Sequence, residues 1–132
     1  MDNERRKFLA IFSTLSIASF IPHNRSQKNT SNMYGLISKI KVATGKREKL
    51  AAILLGGISG MPGCLSYVVA ADTTEEDAIW TTEVWDSKAS HEASLSLPSV
   101  QEAITLGRPL IVGFDARHET EPYGELELGS PD

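Results

Sequence analysis

The sequence predicts one α+β domain in the order strand, helix, strand, strand, helix, strand: the ferredoxin-like split βαβ arrangement, with a four-stranded antiparallel sheet and its helices on one face. Three observations carry this. Residues 34–42 alternate, with Leu36, Ser38, Ile40 and Val42 on one side, the period of a half-buried strand. Residues 46–58 bring Leu50, Ala51, Leu54, Leu55 and Ile58 to one helical stripe, with charge opposite. Residues 78–85 are rich in β-branched and aromatic side chains, and they run straight into a segment that begins Asp86-Ser87, a helix-capping pair.

Taken in order, strand one is Tyr34 to Val42, and Gly45 turns the chain into the first helix, Lys46 to Ile58. Gly56-Gly57 and Gly60 weaken the end of that helix, and Pro62-Gly63 marks a turn. Cys64 to Ala71 is strand two, Asp72 to Asp77 an acidic hairpin loop, and Ala78 to Trp85 strand three. Ser87 to Leu95 forms a second helix, interrupted by Pro98. Ser99-Val100-Gln101-Glu102 reads as a capping box that restarts it, and Gly107 stops it. Pro109 to Ala116 is strand four. The expected organisation is a leader over 1–32, the domain over 33–118, and an acidic, extended tail over 119–132.

The net charge of -4 hides an asymmetry. Residues 1–31 hold five basic and two acidic side chains, a balance of +3, so the remainder carries -7. An acidic domain without a basic patch offers no footprint for nucleic acid. The single cysteine, Cys64, excludes an internal disulfide and a cysteine-based zinc site, and its apolar strand suggests simple packing. Arg5-Arg6-Lys7 precedes an apolar run, Phe8 to Ile21, and then a polar stretch, Pro22 to Asn32: the charge, apolar, polar order of a secretory signal. Arg5-Arg6-Lys7-Phe8-Leu9 also resembles the core of a twin-arginine export signal. The run is short for a membrane span, and Ser16-Ile17-Ala18 is the nearest approach to a cleavage site. The expected location is therefore periplasmic or extracellular. The only membrane contact expected is through the leader, if it stays uncleaved. The alternative is a cytoplasmic protein whose translation starts at Met33.

The chemical signal lies around strand three. Alternate strand residues share a face, so Thr81, Glu83 and Trp85 point the same way. Asp86 or Ser87 caps the next helix, and His91 follows one turn on. An acid, an indole and an imidazole thus converge beside one sheet. His91 suits proton transfer because its pKa lies near neutrality. Glu83 is the second candidate base, or an ordinary paired carboxylate. Trp80 and Trp85 occupy opposite faces of the strand, and each also suits plain packing. Tyr67, Thr81 and Ser38 complete the candidate substrate contacts, with Trp85 as a flat wall for a ring.

The segments Tyr34-Gly35-Leu36-Ile37, Thr44-Gly45-Lys46-Arg47-Glu48-Lys49-Leu50, Met61-Pro62-Gly63-Cys64-Leu65-Ser66-Tyr67, Glu83-Val84-Trp85-Asp86-Ser87 and Leu97-Pro98-Ser99-Val100 resemble the antibiotic biosynthesis monooxygenase (ABM) superfamily in order and spacing. The resemblance covers Tyr34 to Arg117. It implies a homodimer in which two sheets close into one α/β barrel, and a small aromatic substrate or ligand as partner. It also implies cofactor-independent oxygenation of a quinol or phenol, with His91 and Glu83 as bases. The alternative is a non-catalytic, ligand-binding or stress-associated dimer. Two departures matter. Quinol-oxidising relatives carry histidines where Ser94 and Ser99 stand here. Haem-degrading relatives carry asparagine and histidine where Ser38 and Ile104 stand, and no asparagine follows Asn32. The resemblance therefore favours chemistry without haem, and no metal ligand set is expected.

Overall fold

The computed structural model describes residues 32–124. Residues 1–31 of the expected leader and 125–132 of the expected tail lie outside the described residues. The elements are β1 (Tyr34–Val42), α1 (Arg47–Gly57), β2 (Cys64–Ala71), β3 (Ala78–Trp85), α2 (Lys88–Ser94), α3 (Pro98–Gly107) and β4 (Ile111–Thr120), with a 3-10 turn over Arg108–Leu110. The sheet order is β2-β3-β1-β4, and every pairing is antiparallel. This is the ferredoxin-like α+β arrangement. Among the described residues no helix is long and apolar enough to cross a membrane.

The strand alternation dictates the layers. Leu36, Ser38, Ile40 and Val42 are all buried on the helix side of β1. Their partners on β3, including Glu83, Thr81 and Ile79, share that side. The apolar core falls into two halves. Tyr34, Leu36, Met61 and Trp85 form one, and Ile40, Val42, Leu50 and Ile79 form the other. Between them the sheet carries polar side chains: Ser38 pairs across with Thr81 on one flank and with Arg117 on the other. Ser38, Thr81, Glu83, His91 and Ser94 are all buried. Buried polar groups are costly unless they do something, so this band is where function is to be sought.

Trp80 lies on the opposite sheet face. Its Nε1 donates to Asp72 Oδ2 at 2.8 Å, while Asp72 Oδ1 accepts from the amides of Thr74 and Glu75. Arg47 donates to the carbonyls of Asp72 and Glu75. The acidic loop is thus a closed hydrogen-bonded turn.

Four expectations are corrected. Leu55 is half exposed, not part of the apolar stripe. At 100° per residue it sits roughly 140° around the helix from Leu50. Ser99 caps nothing: the N-cap of α3 is Leu97, without a side-chain bond, and Pro98 takes the first position, where no N–H is needed. Ser99 Oγ instead faces the Gly57 carbonyl at 3.5 Å, against the end of α1. Strand four begins at Ile111 rather than Pro109, because Pro109 belongs to the 3-10 turn. It also runs on through Glu119 and Thr120, which the sequence places in the tail, because β1 offers Leu36 and Gly35 as partners there. Gly35 permits that pairing: a Cβ on it would lie 2.1 Å from Thr120 Oγ1.

Candidate active site

The site is built by β3 and α2. Glu83 and Trp85 sit two apart on β3 and face the helices. Ser87 caps α2, its Oγ accepting from the Ser90 amide at 3.0 Å. Asp86 N donates to the Gly63 carbonyl at 2.8 Å, tying the strand–helix corner to the start of β2. Gly63 has φ +85, and a Cβ there would sit 2.5 Å from Ser90 Oγ. The corner therefore fixes the first turn of α2, and His91 is carried inward over the sheet.

His91 is 3% exposed. Its ring lies between Tyr34, 5.2 Å away and tilted, and Trp85, 5.3 Å away and edge-on. Nε2 faces Glu83 Oε1 at 3.8 Å, too long for a hydrogen bond. Nδ1 is buried without a hydrogen-bond partner. Glu83 Oε1 accepts from Trp85 Nε1 at 2.9 Å. Burial raises the Glu83 carboxyl to about 7, against the Trp85 hydrogen bond and the pull of Arg117. Burial also lowers His91 to about 4, helped by Arg117 and Lys88 and opposed by Glu119, so the near-neutral value expected for it from the sequence is corrected: desolvation beneath the aromatic rings disfavours its charged form. At neutral pH the imidazole is therefore uncharged, and Glu83 stands near its midpoint.

A narrow, largely apolar cleft lies between the sheet and the three helices. Glu83, His91, Trp85 and Tyr67 all line it, beside apolar residues such as Met61 and Val100. Tyr67 is the strand neighbour of Glu83, and burial pushes its hydroxyl well above the usual phenol value. Ser38 and Thr81 are on the same sheet face but outside that lining, one step from Glu83 in the polar band. Among the described residues no group of three or more His, Cys, Asp or Glu is placed to hold a metal.

The sequence model of the antibiotic biosynthesis monooxygenase family matches residues 33–106. The chain belongs to this family. A candidate antibiotic biosynthesis monooxygenase from Chloroflexus aurantiacus has 62% identity with it, over 74% of this chain and 99% of that one, with a TM-score of 0.71. Two further members are similar in fold alone. One, from Caulobacter crescentus, has 20% identity over 73% of this chain and 92% of its own, with a TM-score of 0.60. The other, from Nitrosomonas europaea, has 13% identity over 78% and 100%, with a TM-score of 0.62. None of the curated proteins compared with the chain matches it.

Within this ABM frame, sequence reasoning missed four residues around His91: Tyr34, Lys88, Arg117 and Glu119. Tyr34 donates from its hydroxyl to Glu119 Oε2 at 2.8 Å, and Lys88 Nζ reaches the same oxygen at 3.3 Å. Arg117 contributes positive potential to both Glu83 and His91. Inward alternation of Arg117 and Glu119 was the available signal. It was obscured because no apolar residue marks that part of the strand.

Proposed function

We propose that this ABM protein is a cofactor-independent monooxygenase of a small quinol or phenol, acting as a homodimer. The observation that carries the reading is His91: neutral, buried, with a partnerless ring nitrogen, at the side of an apolar cleft and facing a carboxyl group. His91 accepts the phenolic proton, and Glu83 as carboxylate stabilises the imidazolium that forms. The substrate anion passes one electron to dioxygen, and the radical pair joins at a ring carbon. The imidazolium returns its proton to the peroxide, and loss of water, made from that proton, the carbon's hydrogen and one oxygen atom, leaves the second oxygen on the ring. A phenol and dioxygen thus give a quinone and water, and the ring supplies the electrons. The apolar lining keeps bulk water from the intermediates. Trp85 offers the ring a flat wall.

Oxygen uptake with a panel of quinols and phenols tests this. His91→Ala should lower turnover about 10²–10⁴-fold with the fold intact, the usual cost of removing a positioned base. Wild-type rate should rise with pH through about 7 as Glu83 ionises, and Glu83→Gln should lose that limb. Loss of activity in Glu83→Gln with His91→Ala unaffected would make Glu83 the base. No uptake from any substrate in folded dimer would leave the ligand-binding reading.

A further inference from the structure

Among the described residues, neither ring nitrogen of His91 makes a hydrogen bond: Nδ1 has no partner, and Nε2 stands 3.8 Å from Glu83. A histidine ring turns about its last torsion in a broad, roughly two-fold well, so something other than a hydrogen bond must aim it. The imidazole is wedged between two aromatic rings, Trp85 edge-on at 5.3 Å and Tyr34 tilted at 5.2 Å. Each of these is tied to a carboxylate. Trp85 Nε1 donates to Glu83 Oε1 at 2.9 Å, within the lining of the cleft. The Tyr34 hydroxyl donates to Glu119 Oε2 at 2.8 Å, and Tyr34 lies outside that lining. Lys88 completes the second tie. It stands three residues before His91 on α2 and so shares a helix face with it. Its Nζ reaches the same Glu119 oxygen at 3.3 Å and lies 5.8 Å from the centre of the Tyr34 ring, within cation–π range. Tyr34, Glu119 and Lys88 thereby join β1, β4 and α2 beside the imidazole.

We propose that Tyr34, pinned by Glu119 and Lys88, is the positioning residue of His91: its ring holds the imidazole with Nε2 toward Glu83. This rests on the reading of His91 as the base that takes the phenolic proton. In a catalytic triad a carboxylate fixes the imidazole through a hydrogen bond. Here two tethered rings fix it by packing. The difference has a chemical consequence. A carboxylate bonded to the imidazole would favour its charged form, whereas aromatic walls aim it and leave it neutral, the form that accepts a proton. Because Tyr34 lies outside the cleft lining, it acts on the reaction only through His91 and governs kcat rather than substrate affinity. The charged groups that bear on the imidazole are Glu83 on β3, Arg117 and Glu119 on β4, and Lys88 on α2. Tyr34→Phe removes none of them, so it separates aim from charge.

The test compares full-length wild type, Tyr34→Phe and Tyr34→Leu. The first variant keeps the ring and removes its tie; the second removes the ring. Proton NMR of the His91 imidazole, assigned with His91→Ala, reads the aim without any substrate. In wild type the imidazole C–H signals should be displaced from their free positions by the ring currents of Tyr34 and Trp85. Tyr34→Phe should move them part of the way back, and Tyr34→Leu further. Oxygen uptake on an active phenol gives the second readout. In Tyr34→Phe kcat should fall, and in Tyr34→Leu it should approach the roughly 10²-fold loss that a misplacement of about 1 Å costs, with KM within about twofold. Imidazole signals at their wild-type positions in folded Tyr34→Phe overturn the proposal. So does a wild-type kcat in that variant, or a loss carried by KM. Should Tyr34→Phe not fold, Glu119→Ala removes the same tie from a part-exposed position and is judged in the same way. If wild type oxidises no phenol, the oxygenase reading falls, and the imidazole signals alone judge Tyr34.

Discussion

Glu83 and His91 place two titrations of opposite sign in one small volume. The Glu83 carboxyl is held above its ordinary 4.5, at about 7, so the folded chain binds that proton more tightly than the unfolded chain does. The stability this contributes is fully present below about 4.5 and is lost as pH rises through about 7. His91 is depressed from 6.5 to about 4, so its contribution is present above about 6.5 and is lost as pH falls through about 4. Glu83→Gln keeps the shape and an oxygen for the Trp85 indole, but removes the ionisation. Thermal melts across pH should therefore show the variant gaining on wild type between about 4.5 and 7. At about 1.4 kcal/mol per pH unit the gain is limited to about 3 kcal/mol. A difference that stays flat with pH would contradict a buried, proton-holding Glu83. At this scale the sequence already pointed to the participants on β3 and α2, because period-2 alternation and a cap place them. Tyr34 and Arg117 lie far along the chain from His91, and only the strand register brings them beside it.

The placement of His91 depends on a short helix. Lys88–Ser94 has only seven residues, so it draws little from its own backbone and depends on its ends. Ser87, not Asp86, provides the cap, and Ser94 Oγ closes the other end on the His91 carbonyl at 2.6 Å. Ser87→Ala should cost about 1 kcal/mol in denaturant unfolding, within the usual range for a lost N-cap. Because the same turn orients His91, the variant should also reduce turnover. An unchanged midpoint would mean that the Gly63–Asp86 corner alone holds the helix start. The capping box assigned to Ser99 shows the limit of motif reading: with Pro98 already at the first helical position, Ser99 lies inside the helix and faces Gly57. The polar end of β4 teaches the converse. Arg117-His118-Glu119-Thr120 has no apolar periodicity, yet it is strand, because the edge of β1 needs backbone partners and polar side chains suit a polar band.

For the whole molecule, the sheet face away from the helices is the unfinished surface. Val68 is 51% exposed there, and Ile37, Trp80 and Val84 are only half covered. A domain this small gains by covering such a face with a second copy. Light scattering at micromolar concentration should report two chains, and Val68→Asp should shift the population toward one. A stable wild-type monomer would sink the dimer. The leader is proposed to act in export rather than in folding. A chain beginning at Met33 should melt within a few degrees of the full chain and stay in the cytoplasm, whereas the full chain should be exported. A large loss of stability would make the segment structural.

Period-2 and period-3.6 patterns, turn residues and one capping serine are local properties. From them the sequence by itself determined the element order, the helix-facing side of β1 and β3, and the nearness of Glu83, Trp85 and His91. Whether a side chain is neutral, charged or left without a partner depends on what surrounds it from other elements. That was decided only by the tertiary structure. Burial beneath α2 raises Glu83 and lowers His91, and the β1–β4 register brings Arg117 opposite Ser38. Desolvation and charge act through space rather than along the chain, so sequence spacing carries no trace of them.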